Sequence, residues 1–98
     1  MGKKQPTKAE REYMGSVAAL GCVACMKLGH QGTPAEIHHL LNGKGVGQRA
    51  AHERTIPLCP WHHRNGGPGN AIHSGIKTWE ASHGTELKLL EQIEVMLA

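Results

Sequence analysis

Two short ligand pairs constrain this chain more than any other feature: Cys22-Val23-Ala24-Cys25 and Cys59-Pro60-Trp61-His62. In each, a two-residue gap lets both ligand atoms reach a single ion. Together they offer three thiols and one imidazole, a set of four that suits tetrahedral Zn2+. Such a staple matters because little else is available to hold the chain together. Its 98 residues include no Phe, one Tyr and two Trp, against 13 Gly and 5 Pro. A domain this short, with so few large apolar side chains, gains only a small net stability from burial. Three cysteines cannot pair completely, which argues against a disulfide framework and for reduced thiols on a metal. Cys22 and Cys25 read alternatively as small buried hydrophobes or as a redox pair, but no thioredoxin-like βαβ pattern surrounds them. His30 is a reserve ligand should His62 point elsewhere.

The remaining pattern is that of one α+β domain over residues 1–98, with 1–5 as a polar tail. Thr7-Lys8-Ala9-Glu10 is a capping box, and Tyr13, Met14, Val17 and Leu20 follow at helical spacing up to Gly21. Glu36 to Leu41 (EIHHLL) reads as a short strand, and Asn42 to Gly47 as a Gly-rich turn. Arg54 to Leu58 reads as a second strand, with Pro57 implying an edge or a strand end. A helix starting at Pro60 would run through Arg64 and stop at Gly66-Gly67-Pro68-Gly69. Ile72 to His83 is partly helical, with Gly84 as terminator. Thr85 to Ala98 is an amphipathic helix whose apolar stripe is Leu87, Leu90, Ile93 and Leu97, with Glu86, Glu91 and Glu94 off it.

Charge is unevenly spread. Residues 1–79 carry ten Lys/Arg against four Glu, a net of +6, with all three Cys and seven of the eight His. Residues 80–98 carry one Lys against four Glu, a net of −3. The asymmetry suits an anionic ligand, nucleic acid above all, beside the ligand-rich part, although a mildly basic solvated surface would look the same. No secretory signal or membrane-length apolar run is seen, so the expectation is a soluble, cytoplasmic protein without a membrane partner.

Four further histidines, His38, His39, His63 and His73, fall on a strand–loop–strand–helix order. That order is what a ββα metal site requires: one divalent cation between a hairpin and a helix, with a neutral imidazole to take a proton from water. On a regular strand, neighbours face opposite ways, so His38 and His39 share a site only near a bend or strand end. Alone, the pair would read as ordinary polar residues of a half-buried strand; with His63 and His73 in place, the metal-site reading is preferred. Trp61 and Trp79 read as packing anchors before base-stacking groups, and His83 as a cation suited to a helix C-terminus.

The segments EIHHL and TIPLCPWHHR resemble the HNH (ββα-metal) endonucleases. The strings PTKAEREYMGSVAALGC, GQRAAHERTIPLCPWHHRNGG and AIHSGIKTWEASHGTELKLLEQ extend the likeness, over about residues 6–95, to the phage Ref-type nucleases. These are recombination-enhancement, RecA-dependent DNA nucleases with an HNH core. The resemblance implies a small ββα-metal core with a structural zinc knuckle and flanking N- and C-terminal helices. It also implies a metal-dependent DNA endonuclease, phage-encoded or of a bacterial host, acting in DNA recombination, with a RecA–DNA filament as a further partner.

Residue by residue, it makes His39 the general base and His38, His63 and His73 the ligands of a catalytic Mg2+, Mn2+ or Zn2+. Cys22, Cys25, Cys59 and His62 would hold the structural zinc, and Glu36 would orient the site. The slot of the central Asn of HNH enzymes falls near Arg54 or Thr55, neither of them Asn, which leaves His52 or a backbone carbonyl to orient the base. The roles of His38 and His39 are open to exchange. Lys44, Arg49 and Arg64 are the candidate phosphate contacts. A non-catalytic zinc-binding module for DNA or protein is the competing reading. It needs only the first ligand set.

Overall fold

Thr7 and Glu10 cap each other's backbone, and the first helix starts there. In the computed structural model of the chain, which describes residues 5–41 and 52–98, Glu10 N donates to Thr7 Oγ1 (3.1 Å) and Thr7 N to Glu10 Oε1 (2.7 Å). Helix α1 spans Lys8–Ala19. Past its end, Gly21 turns the chain with φ of 86°. A Cβ at Gly21 would meet the Gly32 backbone and Thr33 O at 3.2 Å, so both the left-handed turn and the close loop demand glycine. Helix α2, Val23–Lys27, follows at once, with the Cys22 thiol as its N-cap.

Strands β1, Glu36–His39, and β2, Thr55–Leu58, pair antiparallel with Glu36 opposite Leu58 and His39 opposite Thr55. They are shorter than the expected spans, although Leu40 N still donates to Arg54 O (3.1 Å) just past the ladder. Every residue of β2 is buried, with α1 and the C-terminal helix packed against it. Pro57 is accommodated because, in a two-stranded sheet, each strand has an unpaired side. The Gly-rich turn expected at 42–47, Lys44, Arg49 and the tail residues 1–4 lie outside the described residues.

The helix expected from Pro60 is a single wide π turn, Trp61–Asn65, closed by Gly66 N donating to Trp61 O (2.9 Å). It goes no further because the Gly-rich segment beyond it does not propagate helix. Gly66 is also required locally, since a Cβ there would lie 2.6 Å from Trp61 O and 2.9 Å from the Trp61 ring. A 3-10 turn at Ile72–Ser74 leads into α3, Ile76–His83, which Gly84 terminates as expected. Helix α4, Glu86–Leu97, is capped by Thr85, whose hydroxyl accepts from Lys88 N (3.2 Å).

The buried face of α4 keeps Leu90, Ile93 and the partly buried Leu97 of the expected stripe but not Leu87. Leu89, Leu90 and Ile93 are buried, whereas Leu87 is 45% exposed. Glu86, expected off the stripe, is fully buried. Its carboxylate takes the place of an apolar side chain because polar groups of β1 require an acceptor there. The core gathers Val17, Ile56, Leu58, Ile72, Leu89 and Ile93 around Trp79, whose indole N–H donates to Asn70 O (3.0 Å). Trp79 is thus the packing anchor it was read as. Trp61 is not: it is 54% exposed, held on the outside of the π turn against Gly66. Among the described residues, no helix is long and apolar enough to cross a membrane.

Candidate metal centres

Cys22, Cys25, Cys59 and His62 converge, all four buried, with their ligand atoms within 4.8 Å of one another. The separations are 3.8 Å for Cys25 Sγ to Cys59 Sγ, and 3.7, 3.5 and 3.3 Å from His62 Nδ1 to Cys22, Cys25 and Cys59 Sγ. A tetrahedral zinc with bonds of about 2.3 Å to sulfur and 2.0–2.1 Å to nitrogen puts S···S near 3.8 Å and S···N near 3.6 Å. The set therefore has the dimensions of a zinc site. The backbone prepares it: Cys25 N donates to Cys22 Sγ (3.4 Å), folding the first pair into one turn. Cys59 and His62 flank Pro60 at the start of the π turn. Burial pushes the Cys22 thiol up to about 12 and holds His62 below its ordinary value, with His83 nearby adding to the latter. His62 is thereby kept neutral, as a ligand must be, while a buried thiolate needs a cation to form. His30, the reserve ligand, is exposed in the loop beyond α2 and stands outside this group.

A second group forms where β1 faces the π turn. His38, His63 and His73 offer nitrogens within 4.8 Å of one another. His38 lies on β1, His63 on the π turn and His73 on the 3-10 turn. Two of the three rings are fixed by carboxylates. His38 Nε2 donates to Glu86 Oε2 (2.6 Å), and His63 Nδ1 donates to Glu36 Oε1 (2.7 Å). A carboxylate accepts only, so each bond specifies which nitrogen carries the proton and which keeps its lone pair. His63 then presents Nε2, which lies 3.0 Å from His73 Nε2. His38 presents Nδ1, which is buried and has no hydrogen-bond partner among the described residues. Desolvation holds both His63 and His73 below their ordinary values, favouring the neutral, ligand-competent form. An orphaned buried imidazole nitrogen aimed among two neutral imidazoles fits a divalent cation.

Glu36 shares the β1 face of His38, two residues away, and its carboxylate serves two groups. Besides His63, it accepts a bidentate bond from Arg64, from Nε at 2.8 Å and from Nη2 at 2.7 Å. The Arg64 bonds first, and the His63 bond second, hold Glu36 down to about 2. Arg64 is 57% exposed, so one edge of its guanidinium is committed to Glu36 while the group still faces solvent.

His39, on the alternate side of the strand, meets a different partner: its Nε2 lies 3.0 Å from His52 Nδ1. His52 is placed by the turn into β2, where Thr55 Oγ1 donates to its carbonyl (3.2 Å). The strand alternation that separates His38 from His39 thus assigns them separate partners. Glu86 is the site residue missing from the sequence reading. As a first-turn acid after a Thr cap, it looks like a residue that complements a helix dipole, and no local pattern ties it to His38, 48 residues away.

A family model described as "Recombination enhancement, RecA-dependent nuclease" matches residues 6–98. The match takes in both groups of ligands and every element of the fold.

Proposed function

The chain belongs to the family of recombination enhancement, RecA-dependent nucleases, and from that premise we propose that it is a metal-dependent DNA endonuclease of the HNH type. The observation that carries the reading is the three-histidine group His38, His63 and His73, with carboxylates behind two of the rings, beside a His39–His52 pair. A module that only bound DNA or protein would need the Cys3His set alone. It would have no use for a second group with a buried imidazole nitrogen that has no hydrogen-bond partner among the described residues.

In this reading Cys22, Cys25, Cys59 and His62 hold a structural zinc, and His38, His63 and His73 hold the catalytic cation, Mg2+, Mn2+ or Zn2+. When bound, that cation polarises the scissile phosphate and stabilises the departing oxygen. Glu36 orients His63, and His52 orients His39 in place of the Asn usual in HNH enzymes. His52 Nδ1 meets His39 Nε2 and holds the ring, and His39 is the base of this reading. It takes a proton from the water that attacks phosphorus, while the P–O bond to the leaving strand breaks. Partial burial of His39 keeps it within reach of water, whereas His38 is 1% exposed and committed to Glu86. This favours His39 as base and His38 as ligand. Arg64 supplies a phosphate contact, joined by Lys44 and Arg49 from the segment between the strands, and exposed Trp61 lies beside it for a base. By family membership, the filament of RecA on DNA is the expected partner.

The test is cleavage of single-stranded, duplex and RecA-coated DNA with Mg2+ or Mn2+. Internal cuts that EDTA abolishes are expected, on at least one of the three substrates. Inactivity on all three with both metals, in protein containing one zinc per chain and binding no second metal, would establish the non-catalytic module instead.

A further inference from the structure

Glu86 is the only charged side chain among the described residues that is fully enclosed in the core. A carboxylate buried that deeply is costly unless it is well bonded, and its bonds to the described residues reach the end of β1. It accepts from His38 Nε2 at 2.6 Å and, through both oxygens, from Leu41 N at 3.0 Å. Both donors belong to β1 or the residues just past it, while Glu86 itself opens α4. Its own amide is tied to Glu80 Oε2 (2.8 Å), so the helix start is anchored from a second side. The His38 ring that Glu86 grips lies edge-on to His63 and His73, with centroids 5.1 and 5.3 Å away.

Resting on the reading of His38, His63 and His73 as a metal site, we infer that Glu86 is a positioning residue for that site, and that α4 reaches the cation through it. The carboxylate pins the His38 proton on Nε2 and holds the ring so that Nδ1 meets the other two imidazoles. It also raises the electron density that His38 donates. Glu36 plays the corresponding part for His63, from the exposed side. The two carboxylates differ in kind. Glu36 divides its charge between His63 and Arg64 and is partly exposed, whereas the Glu86 carboxylate that bonds His38 is fully buried.

The experiment uses full-length protein with zinc in the Cys3His set and Co2+ as probe for the second site. Calorimetry reads affinity, d–d absorption reads the cobalt environment, and 15N-resolved histidine spectra taken before cobalt is added read the tautomer. In the parent, His38 is expected as the Nε2–H tautomer, with one Co2+ bound and no thiolate-to-cobalt charge-transfer band. Glu86→Gln keeps an acceptor oxygen but removes the charge. It is expected to weaken Co2+ about 10–100-fold while zinc content and the cooperative melt are kept. In a His38→Ala background the same substitution is expected to cost nothing further.

An Nδ1–H tautomer in the parent would overturn the inference. So would parent-like cobalt affinity in Glu86→Gln, or an equal loss in the His38→Ala background. A Glu86→Gln protein that sheds its zinc together with cobalt assigns Glu86 to folding alone and overturns it as well. A parent that binds no Co2+ beyond the zinc fails one arm earlier: the metal reading itself falls, and the role of Glu86 with it.

Discussion

Eight histidines share one chemistry, and their surroundings divide them into separate tasks. His62 is buried among thiols, His38 and His63 are backed by carboxylates, and His39 is paired with His52. Because the tasks differ, their losses are expected to differ in kind. His39→Ala should keep both metal sites and the fold, and slow DNA cleavage by about 10²–10⁴, the usual worth of a positioned general base. His63→Ala should weaken the second site, so that added metal restores part of the rate, while the zinc stays, its ligand His62 belonging to the other set. Metal content and single-turnover rates measured side by side decide the matter. Cleavage at the parental rate in His39→Ala, with His38→Ala inactive and still metal-loaded, would exchange the two roles. Much of this division was readable in advance. Adjacent His38 and His39 must face opposite ways on a strand, and His62 and His63 follow a CxxH spacing. The carboxylate partners were only half visible. Glu36 lies on the His38 face of the same strand, but Glu86 comes from a distant helix.

At the level of elements, local chemistry was a good guide to where helices start and stop. The Thr7–Glu10 box and the Thr85 cap act through their side chains, and Gly21 and Gly84 through the positive φ that a missing Cβ allows. Periodicity was a poorer guide to which face of α4 is covered. Leu87 and Leu89 each extend the stripe of Leu90, Ile93 and Leu97, and a helical wheel does not separate them. Packing does, since Leu89 is fully buried and Leu87 is not. Leu89→Ala should therefore destabilise the domain by about 2–5 kcal/mol, while Leu87→Ala should stay within about 0.5 kcal/mol of the parent. Urea unfolding of the zinc-loaded proteins measures both, and equal losses would contradict the observed face of α4. The π turn is a similar case. Pro60 and the glycines after Asn65 bound it correctly, but the choice of a single wide turn over an α-helix depends on Gly66 meeting Trp61.

For the molecule as a whole, the two ligand pairs join what the chain keeps apart: Cys22 and Cys25 at the start of α2, Cys59 and His62 at the exit of β2. Trp79 is the one fully buried Trp or Tyr among the described residues, so a zinc held by this set, as proposed, would carry a large share of the stability. Structural zinc contributes an apparent ~10–16 kcal/mol in small domains, as much as the whole net stability of a typical domain, ~5–15 kcal/mol. Removing metal with a strong chelator should unfold the protein, and Cys59→Ser should do the same. Retention of far-UV circular dichroism and a cooperative melt after chelation would show that the core suffices without it. The sequence alone determined the ligand types and their spacing, the helix caps, the two strands and the α+β class, because each depends on residues within a few positions of one another. Only the tertiary structure decided that His62 and not His30 joins the three thiols, that His52 meets His39, and that Glu86 is buried against His38. Those contacts join residues far apart in the chain: helical spacing puts Glu86 on the row of Leu90, Ile93 and Leu97, but no local pattern names the distant imidazole that makes burying its charge tolerable.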